Sequence, residues 1–515
     1  MRSTFFGFEI SKTGLFVSQK QLDVVGHNIS NANTVGYSRQ RVATTALDPY
    51  DPNVKFLPYE HGAVGFGVTS LQVDQIRDPY LDRTFRKENT QYGYWNTRTN
   101  SMARIESLFD PMTKDYSLNT LYGLFLNSVY DLSQDANVTD NSVRRAMVDN
   151  AILLATTLNA YSDSLYDMQV EENDQVQVNV MQINLIAEGI AALNKQIFTF
   201  ELTGDKANDL RDKRNVLLDE LSGLVNCDYG ETDGKLWVRI GSEELVNHKD
   251  YWKLEAQQAL PSADLRDDDT GLMSDDLKYI VRWEGTNTDA DITGGQLFSH
   301  ITMRDGDIKE QMGIPYIMEQ LNLMATELAT TFNEQHMLGY GRNGDPGGAF
   351  FVDEANAQYL DGYGNISIPG MITAANIRVA EYLQKDIAYV AASSEPVDMS
   401  NTGNTQIGNN LNMNAILDGL NSYNALLNGN IVDFVKGFVV DIAIDSSYAR
   451  NRQASETVLC KDLENQRLSI MAVSIDEELT DMIRFQHAYN ACARMITAMD
   501  ENLDQLINRT GRVGL

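Results

Sequence analysis

The chain has 515 residues, of which 43% are hydrophobic and 22% charged, and its formal net charge is −31. This length allows about three domains with sizeable cores, and the acidic balance argues against binding nucleic acid or an anionic membrane by counterion release. The three cysteines, Cys227, Cys460 and Cys492, are too widely spaced for a disulfide framework or a CxxC metal site. Most of the surplus acid lies mid-chain, so the near-neutral ends can pack together without strong repulsion.

An amphipathic stretch near the N-terminus predicts a helix from about Phe8 to Ile29. Steps of three and four residues give an apolar face with small members, which favours close packing on another helix. The positions on this face are Phe8, Ser11, Leu15, Ser18, Leu22, Val25 and Ile29. An ordinary amphipathic core helix would show the same pattern, so this stretch alone does not point to a function.

The polar block NISNANTVGYSRQ, residues 28–40, predicts the end of this helix and is called the joint below. Asn28, Asn31 and Asn33 tolerate left-handed backbone conformations and can hydrogen-bond to local backbone groups. Gly36 permits a sharp turn, and Tyr37 offers an apolar ring with a polar tip. We therefore expect the joint to connect the N-terminal helix to the body of the protein.

Helical periodicity dominates the middle of the chain. It predicts helices over residues 80–109, 118–132, 141–200, 205–225, 308–336 and from 412 onwards, with Asp140 or Asn141 as an N-cap and a break at Gly204. Alternating runs such as KLWVRIG and LKYIVRW, bounded by Asp-Gly and Gly-Gly pairs, predict short strands over residues 226–301. Residues 339–405 are rich in Gly and Asn and contain two further strand signals, FFVD and NIRVA.

The C-terminal region carries the longest apolar pattern of the chain. Positions taken at intervals of three and four residues from Leu468 to Leu506 include one charged residue, Glu478. We expect this charge to favour one register of the helix against its partner. The other positions are Leu468, Met471, Ile475, Met482, Phe485, Tyr489, Cys492, Ile496, Met499, Leu503 and Leu506. This heptad seam predicts a single helix of about 58 Å at about 1.5 Å per residue, which is longer than a compact domain needs.

No pattern in the sequence predicts a catalytic residue, a cofactor site or a metal site. GYGRNG, residues 339–344, matches GxGxxG, but it follows a predicted helix and enters a loop, which is the wrong context for a dinucleotide. The acidic run Asp264, Asp267, Asp268 and Asp269 lacks the spacing of a calcium loop and favours a solvated turn. The six histidines show no zinc-ligand spacing.

These patterns predict a mainly α-helical fold with β inserts, in which the N- and C-terminal helices pair in a coiled-coil-like manner. The expected regions are residues 1–70 with 460–515 as a terminal helical domain, 71–225 with 302–338 and 406–459 as a long-helix bundle body, 226–301 as a small β insert, and 339–405 as a loop and β insert. That the terminal helices form an inner polymerisation domain and the β inserts lie outside is implied by the family resemblance described below. Closing the loop of about 450 residues between the terminal helices costs on the order of 5 kcal/mol. We therefore expect these helices to be loose in the free monomer and to order when neighbouring copies add burial.

The joint resembles the N-terminal signature of the flagellar axial proteins, which are the rod, hook and hook-associated components. That signature reads approximately Asn-Ile-Ala-Asn-Ala-Asn-Thr-Pro-Gly-Tyr, and Val35 stands here at the position of the usual proline. Residues 474–508 are similar to the terminal helix of the hook-associated protein 1 family. The segments NDLRDKRNVLLDELS, GGQL with MRDGDI, and FNEQHMLG follow that family's order, so the resemblance covers both ends and most of the helical middle.

The resemblance implies a non-enzymatic structural protein that connects the flagellar hook to the filament. The implied partners are other copies of the chain in a ring or tube, the hook protein, the second junction protein beneath the filament, and a dedicated export chaperone at the C-terminal helix. The implied location is extracellular, on the bacterial flagellum, after type III export; we expect no cleavable signal peptide and no membrane span. The alternatives are another axial component, such as a hook or rod protein, or a non-flagellar coiled-coil assembly protein.

Overall fold

A computed structural model of the chain describes residues 6–47, 65–109, 117–232, 234–258, 266–267, 270–286, 288–353, 372–397, 406–505 and 507. The chain divides into two compact units. The terminal unit comprises residues 1–90, 183–253 and 457–515, and the central unit comprises residues 91–182 and 254–456. Long helices dominate, the described sheets are small, and the first and last helices pack together, which confirms the predicted fold class.

The terminal unit contains both chain ends and two small antiparallel sheets. Its elements include α1 (Phe6–Asn31), the hairpin of β1 (Gln40–Ala46) and β2 (Val68–Gln75), α5 (Asn208–Leu224), the meander of β3 (Asp228–Thr232), β4 (Lys235–Ile240), β5 (Glu243–Asn247) and β6 (Asp250–Tyr251), and α11 (Ile475–Asp504). Three further helices, α2 (Pro79–Phe109), α4 (Asn141–Glu201) and α10 (Ile431–Met471), have residues in both units.

The sequence analysis missed the β1–β2 hairpin, and it missed the helix Gly295–Asp305, most of which lies within residues 226–301 that were predicted as short strands. The strands of the hairpin pair antiparallel from Gln40 with Gln75 to Ala46 with Val68, and a bulge shifts the register between Ala43 and Thr44. In β1 only Gln40 and Val42 are buried, and Gln40 is polar. The strand therefore lacks the apolar alternation that identifies a half-buried strand in sequence. Both strands pack against α1.

Most predicted helix boundaries are confirmed. The helices α2, α3 (Leu118–Ser133) and α4 begin and end within about one residue of the prediction, a margin ordinary for helix ends. Asp140 Oδ1 accepts a hydrogen bond from Ser142 N at 2.7 Å and so acts as the N-cap of α4. Gly204 has a φ of +91° and marks the predicted break, although α5 begins at Asn208 instead of Asp205.

The helix predicted from residue 308 begins later, because two glycines bring the chain into a close turn. The preceding helix α6 (Gly295–Asp305) is followed by a 3-10 turn at Lys309–Gln311, and α7 (Ile314–His336) starts only after Gly313. Gly313 N donates to Gly306 O at 3.2 Å, and a Cβ atom on Gly313 would lie 2.7 Å from Thr302 O. Pro315 then occupies the first turn of α7, where its missing amide hydrogen is tolerated.

The prediction of one unbroken C-terminal helix is wrong. Helix α10 ends at Met471 and α11 begins at Ile475. Arg39 N donates to Met471 O at 2.8 Å, which satisfies a carbonyl that the helix end leaves unpaired. Asp476, Glu477 and Glu478 fill the first turn of α11, where acidic side chains complement the helix dipole. The apolar period continues across the break and therefore conceals it in the sequence.

The central unit has its own apolar core. Buried side chains from α2, α3, α4, α7, α9 (Leu411–Asn421) and α10 form one cluster. Aromatic rings contribute to it, with the ring centroids of Phe332 and Phe350 4.5 Å apart. The small sheets of β7 (Leu254–Gln257) with β8 (Ile280–Trp283), and of β9 (Phe351–Val352) with β10 (Arg378–Val379), confirm the strand signals in LKYIVRW, FFVD and NIRVA. A short α8 (Glu381–Lys385) follows β10.

Among the described helices, α4 alone meets the length and composition of a membrane span. Its most apolar window of 18 residues has a mean hydropathy of 1.3. The sequence analysis had expected no such segment. A core helix of a water-soluble domain passes the same criterion, and α4 places Val148, Leu154, Leu158 and Leu165 in the core of the central unit.

Candidate assembly interface

The two ends of the chain pack together as the antiparallel helices α1 and α11. The facing positions are Gly7 with Met499, Gly14 with Cys492, and Asn28 with Glu478. A Cβ atom on Gly14 would lie 2.9 Å from Cys492 Sγ, and one on Gly7 would overlap the end of Met499. Gly14 therefore permits a close approach of the helices that a larger residue would prevent, whereas the flexible end of Met499 can move away from a side chain at position 7.

Serine side chains on this face of α1 are satisfied within their own helix. Ser11 Oγ donates to Gly7 O at 2.9 Å, and Ser18 Oγ donates to Gly14 O at 2.8 Å. Both serines are buried, and their burial costs little because neither hydroxyl needs a partner on α11. The sequence analysis recognised the serines but missed Gly7 and Gly14, since glycine lowers helix propensity and does not count toward an apolar face.

The residues of the predicted apolar face of α1 differ in how deeply they are buried. Val25 is buried, at 3% exposure, and lies near the C-terminal end of α1. Phe8, Leu15, Leu22 and Ile29 are only half-buried. Given about 100° per residue, they lie to one side of the line through Gly7, Gly14 and Val25.

The predicted seam of α11 faces α1 over most of its length. Seven of its positions are half-buried: Met482, Phe485, Tyr489, Cys492, Ile496, Met499 and Leu503. Two others, Leu468 on α10 and Ile475 at the start of α11, are exposed and do not belong to this seam, because the break at residues 472–474 changes the phase of the helix. Met471 is buried at the end of α10, and Leu506 lies outside the described residues.

Asn28 is the polar centre of the joint. Its Nδ2 donates to Gln40 O at 2.9 Å and to Glu478 Oε2 at 3.1 Å. Its Oδ1 accepts from Gln40 N at 3.0 Å and from Tyr37 OH at 2.8 Å. An asparagine amide offers two donors and one oxygen with two lone pairs, so all four are used. The buried side chain thus connects α1, the joint and α11.

Glu478, the single charge on the predicted seam, is buried with two partners. It is 1% exposed, and its Oε1 accepts from Arg39 Nε at 2.7 Å. Arg39 also contacts Glu477 at 2.7 Å and Asp481 at 3.7 Å. Because a buried carboxylate is costly without such partners, separating Glu478 from Arg39 and Asn28 would be unfavourable.

Tyr37, within the joint, borders α5. Its hydroxyl group donates to Asn28 and lies 2.9 Å from His27 Nδ1, while His27 Nε2 lies 3.5 Å from an oxygen of Asp209. Burial raises the pKa of Tyr37 well above its usual range, and the negative charges of Asp209, Asp212 and Glu478 add to this effect. The side chain therefore acts as a neutral hydrogen-bonding anchor.

A buried ionic network continues from the joint into α2, α5 and α10. Ser38 donates to Asp212 through its amide at 2.9 Å and through its hydroxyl group at 2.6 Å. Arg77 Nη1 lies 3.3 Å from Asp212 Oδ1, and its Nη2 contacts Asp82 at 2.9 Å. Arg467 reaches Asp82 at 3.0 Å. Burial raises the pKa of Asp212 despite its hydrogen bonds to Ser38 and the charge of Arg77. Spacing in the sequence does not reveal these partners.

The turn in the joint depends on Gly36 and not on the asparagines. Helix α1 continues to Asn31, and none of Asn28, Asn31 and Asn33 adopts the left-handed conformation that the sequence analysis considered. Gly36 has a φ of +76°, and a Cβ atom there would overlap Val216 of α5. Asn31 Nδ2 bonds to local backbone, donating to His27 O at 3.0 Å, whereas Asn33 is exposed.

The GYGRNG loop has its backbone amides engaged by the protein. Tyr340 N donates to Ser393 O, Gly341 N to Asp345 O, and Arg342 N to Ala388 O, each at 2.8 Å. These amides do not form a free cradle for phosphate groups. Across the described residues, no group of three or more His, Cys, Asp or Glu side chains is arranged to hold a metal ion. Of the acidic run, Asp264, Asp268 and Asp269 lie outside those residues.

Known proteins are similar to this chain over nearly its whole length. Residues 102–351 match the flagellar hook-associated protein FlgK helical domain, residues 9–37 the flagella basal body rod protein, and residues 464–509 the flagellar basal body rod FlgEFG protein C-terminal region. Flagellar hook-associated protein 1 of Bacillus subtilis (strain 168) is 31% identical over 99% of this chain and 99% of its own. The chain belongs to the flagellar hook-associated protein 1 family.

Other similar members of the hook-associated protein 1 family show lower identity. The proteins of Escherichia coli (strain K12) and Salmonella typhimurium are each 24% identical over 96% of this chain and 98% of their own. A solved structure of the flagellar hook junction protein FlgK from Burkholderia pseudomallei has a TM-score of 0.60 at 16% identity, covering 76% of this chain and 100% of that one. This likeness shows a shared fold. The two rod-type matches fall on α1 with most of the joint, and on the end of α10 with α11.

Proposed function

We propose that the chain is a non-enzymatic structural component that joins the hook of the bacterial flagellum to its filament and assembles through its terminal unit. The observation that carries the proposal is the α1–α11 pair, in which the two ends of a 515-residue chain meet through a close-packed face and a buried joint. Residues 1–70 and 460–515 are the proposed polymerisation domain, and residues 71–225 with 302–338 and 406–459 are the helical body.

The match over residues 102–351 favours a hook-associated role over that of a rod or hook protein. This stretch corresponds to the helical domain of FlgK, whereas the rod-type similarity is confined to the two ends of the chain. A rod or hook component sharing only the ends would not account for the helical middle. The match over that middle therefore supports the junction role.

The proposed partners are other copies of this chain, the hook protein, the second junction protein beneath the filament, and an export chaperone that binds the C-terminal helix. Outside the seam, most residues of α11 are exposed, which supports contacts of this helix beyond its own chain. The proposed location is extracellular, on the flagellum, and the proposed route is flagellar type III export without a cleavable signal peptide.

Aspartate substitutions in the seam test this role. Tyr489→Asp and Ile496→Asp each place a charge on the half-buried face of α11, which disfavours its packing on α1. In a strain that carries either variant, we expect normal secretion of the protein, hooks without filaments in electron micrographs, and flagellin in the medium. Asn490→Asp is the matched control, because Asn490 is an exposed neighbour on the same helix, and it should retain filaments.

Deletion of the gene separates the proposed function from its alternatives. Hooks without filaments support the junction role. Loss of the hooks themselves would identify a hook or rod component instead. Retained filaments, or failure to find the wild-type protein outside cells of a hook-assembly mutant, would contradict a flagellar junction role.

A further inference from the structure

His336, the last residue of α7, is buried in the central unit, and the proposed function gives it no role. Its exposed fraction is 0%. Two aromatic rings enclose it, with the ring centroids of Phe332 and Phe350 lying 5.8 Å and 5.5 Å from that of His336. A polar ring is costly in such surroundings unless its nitrogens are hydrogen-bonded. The partners of the two ring nitrogens therefore determine what this histidine can do.

These partners fix the protonation state of the ring. Nδ1 lies 2.7 Å from Gly348 O, a carbonyl oxygen that can only accept, so Nδ1 carries the hydrogen. Nε2 accepts from Ala391 N, a backbone amide that can only donate, at 3.0 Å. The ring is therefore neutral. A second hydrogen, on Nε2, would point at the hydrogen of Ala391 N and break that bond.

The ring bonds to two short segments of the chain, the loop 339–348 and the segment 388–393. The two segments also contact each other, since Tyr340 N donates to Ser393 O at 2.8 Å. The sequence GYGRNG belongs to this loop. His336 thus bonds at the same time to both sides of a contact that is otherwise made by backbone groups.

The nearest charged and titratable neighbours of the ring disfavour its protonation. Arg144 of α4 is 2% exposed and donates to Val390 O at 2.7 Å, which brings a positive charge close to the bond between Nε2 and the segment 388–393. The Tyr382 hydroxyl group of α8 donates to Ala349 O at 3.0 Å. Burial raises the pKa of Tyr382 well above its usual range, so this neighbour brings no negative charge.

Among the described residues, no carboxylate pairs with the His336 ring. The acidic residues of the adjoining elements, Glu334 of α7, Asp345 of the loop and Asp386 at the end of α8, are exposed. Arg342 of the loop donates to Thr139 O at 3.0 Å, at the start of α4. Nothing in this part of the central unit therefore offsets a positive charge on the ring.

We propose that His336 is a pH-sensitive clasp, whose neutral ring holds the loop 339–348 to the segment 388–393 and whose protonation releases both. The opening is local, because the apolar side chains that α3 and the rest of α7 place in the core do not titrate. The contacts that form the clasp all lie in the central unit. The clasp is therefore independent of the junction role and of the α1–α11 pair.

The direction of the pH effect follows from the surroundings of the ring. Burial lowers the pKa of His336 to about 4 despite the hydrogen bond to Gly348 O, and the charge of Arg144 adds to the lowering. In the open form, with both bonds of the ring broken, the pKa returns to its ordinary value of about 6.5. Between these two values only the open form binds the proton, so the closed form is fully stable above about pH 6.5 and loses stability as the pH falls towards 4. At His300, whose Nδ1 lies 2.6 Å from Glu172, protonation would strengthen the contact instead.

Amide hydrogen exchange of the full-length chain, followed by mass spectrometry, tests the clasp. After correction for the intrinsic exchange rate, the protection of residues 339–348 and 388–393 should fall about 20-fold between about pH 7 and about pH 5. In His336→Gln it should change less than about twofold, because glutamine carries a donor and an acceptor but does not titrate. His487→Gln is the matched control: it makes the same change at an exposed position and should keep the wild-type pH dependence. Equal pH dependence in the wild type and His336→Gln, or constant protection in the wild type, would overturn the proposal.

A second measurement needs no variant and decides the question even if His336→Gln does not fold. Slow hydrogen exchange at the ring carbon Cε1, measured by mass spectrometry over a range of pH, gives the titration midpoint of each histidine in the wild-type chain. We expect the midpoint of His336 to lie at least about one unit below the ordinary histidine value. A midpoint closer to that value, or above it, would show that the folded chain tolerates the charged ring and would overturn the proposal.

Discussion

Asn28 is a residue for which no other side chain can substitute fully. Its amide group donates to Gln40 and Glu478 and accepts from Gln40 and Tyr37, all within a buried site. An aspartate has the same shape but lacks the two donors, and its charge would face that of Glu478. A glutamine would need room for one more methylene group in a filled site.

Asn28→Asp should therefore destabilise the terminal unit strongly. The lost hydrogen bonds and the buried like charge together should lower the free energy of unfolding by about 3 kcal/mol. The measurement is chemical denaturation of the full-length protein followed by circular dichroism. Asn33→Asp makes the same chemical change at an exposed position of the joint, and its effect should stay within about 0.5 kcal/mol. Equal effects of the two variants would contradict the role assigned to Asn28.

At the scale of single elements, the close contact of α1 with α11 depends on Gly14. Gly14 faces Cys492 at a distance that leaves no room for a Cβ atom, whereas a Cβ atom on Gly26 would have no neighbour within 4 Å. The two glycines belong to the same helix, so intrinsic helix propensity affects both in the same way. The two positions differ only in how closely neighbouring side chains pack against them.

Gly14→Leu and Gly26→Leu should therefore have opposite effects. Leucine at Gly26 should stabilise the helix by about 0.5–1 kcal/mol, because glycine is unfavourable inside helices. At Gly14 the same residue should force the helices apart and cost about 2 kcal/mol or more. Thermal unfolding of both variants checks this difference, and stabilisation by Gly14→Leu would show that the helices do not approach closely there.

How well each element could be predicted depends on where its determinants lie in the sequence. Helices α2, α3 and α4 follow from local periodicity, and their ends agree with the structure. The break between α10 and α11 does not follow from local periodicity. Arg39, whose amide donates to Met471 O at the end of α10, lies more than 400 residues away in the sequence. The contact of Ser38 with Asp212, 174 residues apart, is equally invisible to spacing.

The sequence singled out the apolar seam of the candidate interface and three of its polar residues, Asn28, Tyr37 and Glu478, but not the partners of those polar residues. The half-buried residues of α11, from Met482 to Leu503, stand out because large side chains repeat every three or four positions. Gly14 carries no such signal, although it permits the contact. Arg39, Arg77 and Asp212 were not recognised, since a charged residue reveals its partner only in the folded chain.

At the scale of the whole molecule, the ends of the chain should be less stable than its centre. The central unit buries an extensive apolar core, whereas most of α11 outside its seam is exposed. In a dilute solution of monomer, amide hydrogens of α1 and α11 should exchange at least about tenfold faster than those of α3 and α7. Hydrogen exchange with mass spectrometry measures this difference. Full protection of both terminal helices in the monomer would show that their order does not depend on assembly.

The contacts of the joint also determine how much of the chain is needed to form the α1–α11 pair. Asn28 and Arg39 are made early in translation, but their partner Glu478 belongs to the last described helix. A chain cut short before residue 478 would keep the whole apolar core of the central unit while leaving the joint without its carboxylate. We expect such a fragment to fold in its centre and yet to lack the α1–α11 pair. A copy truncated before residue 478 is therefore expected to lack the terminal helix pair on which the proposed assembly depends.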